Sequence, residues 1–315
     1  YLRILFLEMP LLFMLHIFFS VNQAQGDTLT PTIVNGTSAV LNIILDPIFI
    51  FTFHLGIEGA AIATVISKLP FAIYAILRMS RGMGFIKIQP IHLRIHVEKM
   101  MRLIKIGIPS SLGSSGVSIG FIVLNSVVAG YGDIAMTAMG IGNRLNGLAF
   151  MPGVGIGAAL STITAQNLGA GNIPRVKQAF HASLKLAVLF LLLTGSILWI
   201  FSGQLVGIFS DTPAVIETGS YYLNILAATT WSIAFFNCSI GLFNGSGHTS
   251  YSMLLEAGRL WVIRMPLIIG FAMIPAFKDT GIWLAIGLSN LISSGFAYLL
   301  TFNNRWKQAR IKTDH

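Results

Sequence analysis

The chain has 315 residues, of which 54% are hydrophobic and only 10% charged, and its mean hydropathy is +0.77. A soluble domain carries about 25% charged residues, so this composition excludes the soluble globular class and indicates a polytopic helical membrane protein. The net charge of +9 is no nucleic-acid signal, because the basic residues sit in short segments between apolar runs, where they set topology.

Taken in order, nine runs reach the roughly 20 apolar residues that a spanning helix needs. They are Leu2–Ser20, Thr30–Phe53, Gly59–Arg78, Leu103–Gly130, Ala135–Gln166, Val176–Phe201, Ser220–Phe243, Ser250–Pro275 and Gly281–Phe302. The chain opens at Tyr1, inside an apolar run and without a signal-peptide n-region, which predicts a fragment or a processed piece. The fifth run exceeds a simple span and is expected to break or curve near Gly153–Gly157. The single cysteine, Cys238, lies in an apolar run and reads as a packing residue; it excludes an internal disulfide and a cysteine metal cluster.

Loop charge sets the orientation. Arg78, Arg81, Lys87, Arg94, Lys99, Arg102 and Lys105 face one acid, Glu98, between the third and fourth runs, which places that loop in the cytoplasm. Alternation then puts Arg175, Lys177 and the tail with Arg305, Lys307, Arg310 and Lys312 inside, and Asp133, Asp211 and Glu217 outside. The loop also carries His92 and His96, four apart but with no third metal ligand; it reads as an interfacial basic segment.

An internal repeat is visible. Tyr1-Leu2-Arg3-Ile4-Leu5 resembles Tyr222-Leu223-Asn224-Ile225-Leu226, and at the same offset Gly26-Asp27-Thr28 aligns with Gly247-His248-Thr249. Gly56-Ile57 matches Gly281-Ile282 after a small insertion. Six helices separate equivalent points, which makes the copies parallel about an axis along the membrane normal. The expectation is an all-α integral membrane protein with nine helices of a total of twelve, in two six-helix lobes, three helices preceding Tyr1. Residues 1–80 would end the amino-terminal lobe, 81–102 form the basic inter-lobe loop, 103–303 the complete carboxy-terminal lobe and 304–315 a basic cytoplasmic tail.

The second run holds the chemistry. Asp46 is its only acid, and a carboxylate at membrane depth costs roughly 2.5–3.5 kcal/mol on insertion scales, which marks it as functional. Asn42 stands one turn earlier on the same face, and Pro47 frees a backbone carbonyl one turn back. By helix rise, Asp46 lies roughly 10 Å and Thr64, in the next run, roughly 9 Å from the outer ends of their helices, so the two are expected to be level. Gly59, Ala60, Ala61 and Ala63 let the two helices approach closely. Asn42, Asp46 and Thr64 then offer oxygens to H⁺ or Na⁺; the bland alternative is an interhelical hydrogen bond from Thr64 to Asp46 with no ion. In the repeat, Asp46-Pro47 meets Met265-Pro266, so the acid belongs to one lobe only. Asn143, Arg144, Asn237 and Arg259 are candidate residues of a substrate cleft, with Asn146 beside them. Glu256 and Arg259, three apart, are expected to form an internal ion pair.

The sequence resembles the multidrug and toxic compound extrusion (MATE) antiporters. The matching stretches are Gln25-Gly26-Asp27-Thr28, Leu41-Asn42-Ile43-Ile44-Leu45-Asp46-Pro47, Gly59-Ala60-Ala61-Ile62-Ala63-Thr64, Ile106-Gly107-Ile108-Pro109, Met151-Pro152 and Gln166-Asn167-Leu168-Gly169-Ala170-Gly171-Asn172. The resemblance covers essentially the whole chain and implies twelve helices in two lobes forming a V. It implies a proton or sodium site at Asn42, Asp46 and Thr64, with a further Asp of that site on the family's first helix. A second branch of the family places a Glu after the motif matched by Pro109; here Ser110 to Gly120 contains no acid, which argues against a carboxy-lobe cation site.

The implied activity is cation-coupled efflux of small organic, cationic and amphipathic compounds by alternating access, in a monomer of the inner cell membrane. The coupling ion is H⁺ or Na⁺; no other cofactor, no metal beyond Na⁺ at Asp46 and no nucleic acid is expected. A flippase for lipid-linked oligosaccharide or polysaccharide is the alternative, although Arg144, Arg259 and Arg264 are its only candidates for holding a pyrophosphate. No zinc-protease His-Glu pair and no Gly-x-Ser-x-Gly elbow is present, so no enzyme is predicted.

Overall fold

Apolar runs of this length leave the backbone only helices with which to satisfy its polar groups in a bilayer. The computed structural model describes residues 2–82, 97–274, 277 and 280–307, and every regular element among them is helical. The chain divides into two compact units, Tyr1–His96 and Val97–His315, and the division falls within the segment 81–102. The histidine pair of that segment and the last residues of the tail, 308–315, lie outside the described residues.

The first unit contains α1 (Leu2–Leu5), α2 (Glu8–Ala24), α3 (Leu29–Pro47), a π-helical turn (Ile48–Thr52) and α4 (Gly56–Arg81). The first apolar run is not one smooth helix: it breaks at Phe6 and Leu7 and restarts at Glu8. Pro10 is tolerated there because N–H groups in the first helical turn have no intrahelical acceptor. Gly26, at φ 86°, turns the chain from α2 to α3 while the Asp27 N–H reaches back to the Asn22 carbonyl at 3.0 Å. Asp27 then accepts the Thr30 N–H at 3.0 Å. The Thr30 side chain and backbone together hold the Asp27 carboxyl below its usual range. Leu15, Phe18, Val34, Ala72, Ala75 and Met79 form the core of this unit.

The second unit runs α5 (Val97–Ala129), α6 (Asp133–Gly169), α7 (Ile173–Ile200), α8 (Ser202–Gly207), α9 (Pro213–Thr230), α10 (Ile233–Gly245), α11 (Thr249–Gly258), a π-helical turn (Arg259–Arg264), α12 (Met265–Ala272) and α13 (Gly281–Thr301). Of the break or curve expected in the fifth run, the break is absent: α6 is one helix of 37 residues, with Pro152 inside it. At 1.5 Å per residue it is ~55 Å long, more than a bilayer core requires. Gly153 and Gly157 serve instead as contact points. A Cβ on Gly157 would lie 2.7 Å from the Asn237 carbonyl oxygen, and one on Gly241 would overlap the Gly157 carbonyl oxygen. Further along, a Cβ on Gly245 would overlap the Ser161 carbonyl oxygen. Small residues four apart on both helices thus let α6 and α10 touch backbone to backbone.

Among the described residues, seven helices are long and apolar enough to span a membrane, and α9 with α10, bent by 52°, makes up to eight. The run Ser250–Pro275 is the one of the nine that falls outside this count. It is helical from Thr249 to Ala272, but as three short pieces, and it carries Glu256, Arg259 and Arg264.

The turn at Gly26 has a counterpart at Gly247, φ 78°, where the His248 N–H bonds the Phe243 carbonyl at 2.8 Å. Each bond in this pair sits at the repeat's offset. Gly171, φ 71°, makes the same turn between α6 and α7, so the motif marks a helix end generally rather than the repeat alone.

Candidate functional site

In the first unit, Asn42 and Asp46 face the same way because they stand four apart on α3. The Asn42 Nδ2 donates to the Asp46 Oδ1 at 3.1 Å, and both side chains are half-buried. Asp46 therefore keeps its second oxygen for another ligand. Pro47 ends the regular helix directly after it, and the chain passes into the π-helical turn, where the Phe53 N–H reaches the Ile48 carbonyl at 3.0 Å. Proline removes one N–H from the ladder, and a π-turn absorbs the lost register; such breaks recur at functional sites.

Two contacts fix how α3 and α4 align. The Ser38 hydroxyl donates to the Ser67 carbonyl at 3.3 Å, and Gly59 lies against Phe49, where a Cβ would come within 2.6 Å of the carbonyl oxygen. Interpolating between them sets Thr64 opposite Asn42 rather than opposite Asp46. Thr64 is thus about 6 Å, one turn, from the level expected of it. Its hydroxyl donates to the Ala60 carbonyl at 2.8 Å, so its lone pairs are free to meet a cation or the Asn42 amide. No hydrogen bond joins Thr64 to Asp46 among the described residues. Among the described residues the only hydrogen bond within the trio is that from Asn42 to Asp46, with Thr64 about level with Asn42 on the neighbouring helix.

Sequence reasoning missed a fourth and a fifth polar group here. Glu8, buried where α2 restarts, forms an ion pair with Lys68 on α4. Lys68 stands one turn after Thr64 on the same face. A lysine in the middle of an apolar run was the available signal.

In the second unit the candidate cleft residues have separate partners. Asn143 accepts the Tyr222 hydroxyl at 2.8 Å, and Asn146 accepts that of Thr230 at 3.2 Å. Arg144 is exposed. Asn237 sits against Gly153 and Gly157, and its Nδ2 is buried without a hydrogen-bond partner among the described residues. Asn143 and Asn237 accordingly lie ~15–20 Å apart along α6. The expected ion pair is corrected to a longer-range attraction: Glu256 and Arg259 interact electrostatically, but among the described residues no carboxylate lies within ion-pair distance of Arg259, whose guanidinium stacks 4.6 Å over the Phe236 ring. Arg264, in the sequence only a candidate to hold a pyrophosphate, is buried and donates to Ser289 Oγ and Asn290 Oδ1, each at 2.8 Å. Met265 thus stands before Pro266 where the first unit has Asp46 before Pro47, and the buried guanidinium one residue earlier opposes binding of a cation there.

The family model MatE matches residues 1–48 and 109–269. Over 323 aligned residues the chain is 30% identical to the probable multidrug resistance protein YpnP of Bacillus subtilis, covering all of this chain and 70% of that protein. The chain belongs to the MatE family. Another MatE relative, the probable multidrug resistance protein NorM of Thermotoga maritima, is 25% identical, with 94% of this chain and 65% of that protein covered. The chain thus spans about two thirds of the length of these relatives. The MatE fold is also that of an outward-facing multidrug resistance MATE family transporter of the MOP superfamily. It superposes with a TM-score of 0.89 at 23% identity, over 96% of this chain and 68% of that one. A family of multi-pass membrane transporters, not of enzymes, is the setting in which these side chains act.

Proposed function

We propose that the chain is part of a multidrug efflux antiporter in which Asp46 binds the coupling ion, H⁺ or Na⁺, with Asn42 and Thr64 as neighbours. The observation that carries this reading is the half-buried Asn42–Asp46 pair set directly on the break at Pro47. A charged Asp46 is costly to bury, and a neutralised one is not. Ion binding therefore lets α3 bend and repack at Pro47, which releases substrate outward and favours the inward-facing state. A coupling ion drives export only because it binds the two states unequally. The substrates are small organic molecules, in keeping with the relatives' names, and a cationic, amphipathic class suits a family member rich in Met and Phe. Asn143, Arg144, Asn237 and Arg259 are candidates to meet substrate at different depths. The protein works as a monomer in the inner membrane, with the segment 79–102 and the carboxy terminus in the cytoplasm.

A flippase gains no support: Arg144 is exposed, Arg259 is stacked on Phe236 and Arg264 is bonded to neutral groups, so the three form no common anion site. The test is Asp46→Asn in the full-length protein, reconstituted in proteoliposomes with an imposed H⁺ or Na⁺ gradient. Gradient-driven drug movement should vanish while thermal unfolding stays as in the wild type. Wild-type transport by the variant would overturn the assignment.

A further inference from the structure

We propose that the exposed flank of α7 binds an anionic phospholipid of the inner leaflet, with its phosphate between Lys177 and Lys185, beside His181, and an acyl chain in a recess between α7 and α9. Lys177, His181 and Lys185 stand four apart on α7, and all three are exposed. One helical turn separates each from the next, so they follow one another along the same flank. No acid occurs on α7. Of the helices packed against it, α6 and α9 carry one acid each, Asp133 and Glu217, both at the opposite end of the unit. Neither lysine ammonium has an ion-pair or hydrogen-bond partner among the described residues. The His181 Nδ1 donates to the Lys177 carbonyl at 2.7 Å, which orients the ring and leaves Nε2 on the side away from that bond. Basic groups at the cytoplasmic boundary of a span attract anionic headgroups.

The rest of the flank says that the anion carries a tail. Beyond Lys185, α7 bears no charge from Leu186 to its end at Ile200. By the helix period, Leu192 falls in angle between His181 and Lys185, within about 20° of each. Leu192, Gly195 and Trp199 form, with Ala227, Ala228 and Trp231 at the end of α9, a recess of about 390 Å³. Leu192, Trp199 and Trp231 remain exposed there. Gly195 brings the two helices together, since a Cβ on it would lie 3.0 Å from the Ala227 carbonyl oxygen. The Trp231 Nε1 donates to the Ala228 carbonyl at 2.9 Å, so the one polar atom of that indole is already satisfied. Leu192 lies seven residues, ~10 Å, beyond Lys185. An acyl chain of one leaflet, half of a core ~30 Å thick, reaches that depth. A free phosphate would use the lysines and leave the recess unexplained. The inference takes its leaflet from the proposed topology and nothing from Asp46.

The experiment uses full-length protein in bilayers containing brominated phosphatidylglycerol or brominated phosphatidylcholine with the same acyl chains. The readout is quenching of the tryptophan fluorescence that Trp231→Phe removes. Phosphatidylglycerol should quench at the lower mole fraction. Lys177→Gln with Lys185→Gln should cancel that preference, at roughly fivefold for each lysine. Lys177→Arg with Lys185→Arg, which keeps the charge, should retain it. Ala228→Phe, which fills the recess, should weaken phosphatidylglycerol quenching with both lysines in place; undiminished quenching there overturns the seating of the chain. Arg305→Gln with Lys307→Gln removes the same charge from the same side of the unit and should leave the preference intact. An equal loss in that variant would mean diffuse attraction and overturn the site, as would a wild type without preference. Soluble glycerol phosphate that abolishes the preference would make this a free-phosphate site and overturn the lipid. No arm reads Asp46 or transport, so a failure here is distinct from drug export by Asp46→Asn.

Discussion

Arg264 shows how a single buried charge is kept without an opposite one. Its guanidinium donates to two neutral oxygens on α13, and its rigid fork is what allows both bonds at once. A lysine has the charge but not the fork. Arg264→Lys should therefore unfold earlier by thermal melting in detergent, with a loss of about 1.5–3 kcal/mol for a charge-assisted bond. Asp27 acts at the other extreme, on an exposed turn. Hydrogen bonds from Thr30 hold its carboxyl below the ordinary carboxylate range, so its contribution to holding the start of α3 is present above the unfolded pKa and fades as pH falls through the folded one. Asp27→Asn should flatten the acid limb of a pH–stability curve below about pH 4, the ordinary carboxylate range. A curve unchanged by the substitution would show that the hydrogen bond carries no stability.

At the scale of elements, two devices matter: the glycine seam and the proline breaks. The seam joins α6 to α10 through Gly157, Gly241 and Gly245, where an added methyl meets backbone that has no side chain to move aside. Gly241→Ala should cost about 1–3 kcal/mol as an overpacked site, and Gly241→Leu should abolish folding, judged by monodispersity and melting. Gly36, where an added Cβ would meet nothing within 4 Å, is the matched control and should accept alanine. In the proposed mechanism the break at Pro47 serves motion rather than stability. Pro47→Ala restores an N–H for the carbonyl four residues back, so the protein should melt later while gradient-driven efflux slows. Faster or unchanged efflux would remove the bend at Pro47 from the mechanism.

For the molecule as a whole, the proposed topology follows from charge asymmetry, and it is open to a direct check. With Cys238 replaced by Ala, a single cysteine introduced at Asp211 should react with an impermeant maleimide from outside the cell, and one introduced at Lys177 should not. The reverse pattern would invert the assignment of every segment. Cys238 itself is buried and should resist the same reagent.

Much of the fold was legible because a bilayer admits so few solutions. Long apolar runs must be helices, and eight of the nine runs correspond to spanning helices or to the bent pair α9–α10. The ninth, Ser250–Pro275, shows the limit. Its two arginines meet Phe236, Ser289 and Asn290, partners distant in sequence that no period or composition could reveal. The Asn42–Asp46 pair was legible for the opposite reason, since its geometry is set by one turn of one helix. The level of Thr64 was not. It depends on how α3 slides past α4, which the Ser38–Ser67 and Phe49–Gly59 contacts set. The sequence by itself determined the class, eight of the nine runs and the one acid of α3, because these depend on local hydrophobicity and helix period. Only the tertiary structure decided that Glu8 holds Lys68, that Arg264 needs no acid and that α6 runs unbroken, because each rests on contacts between helices far apart in the chain.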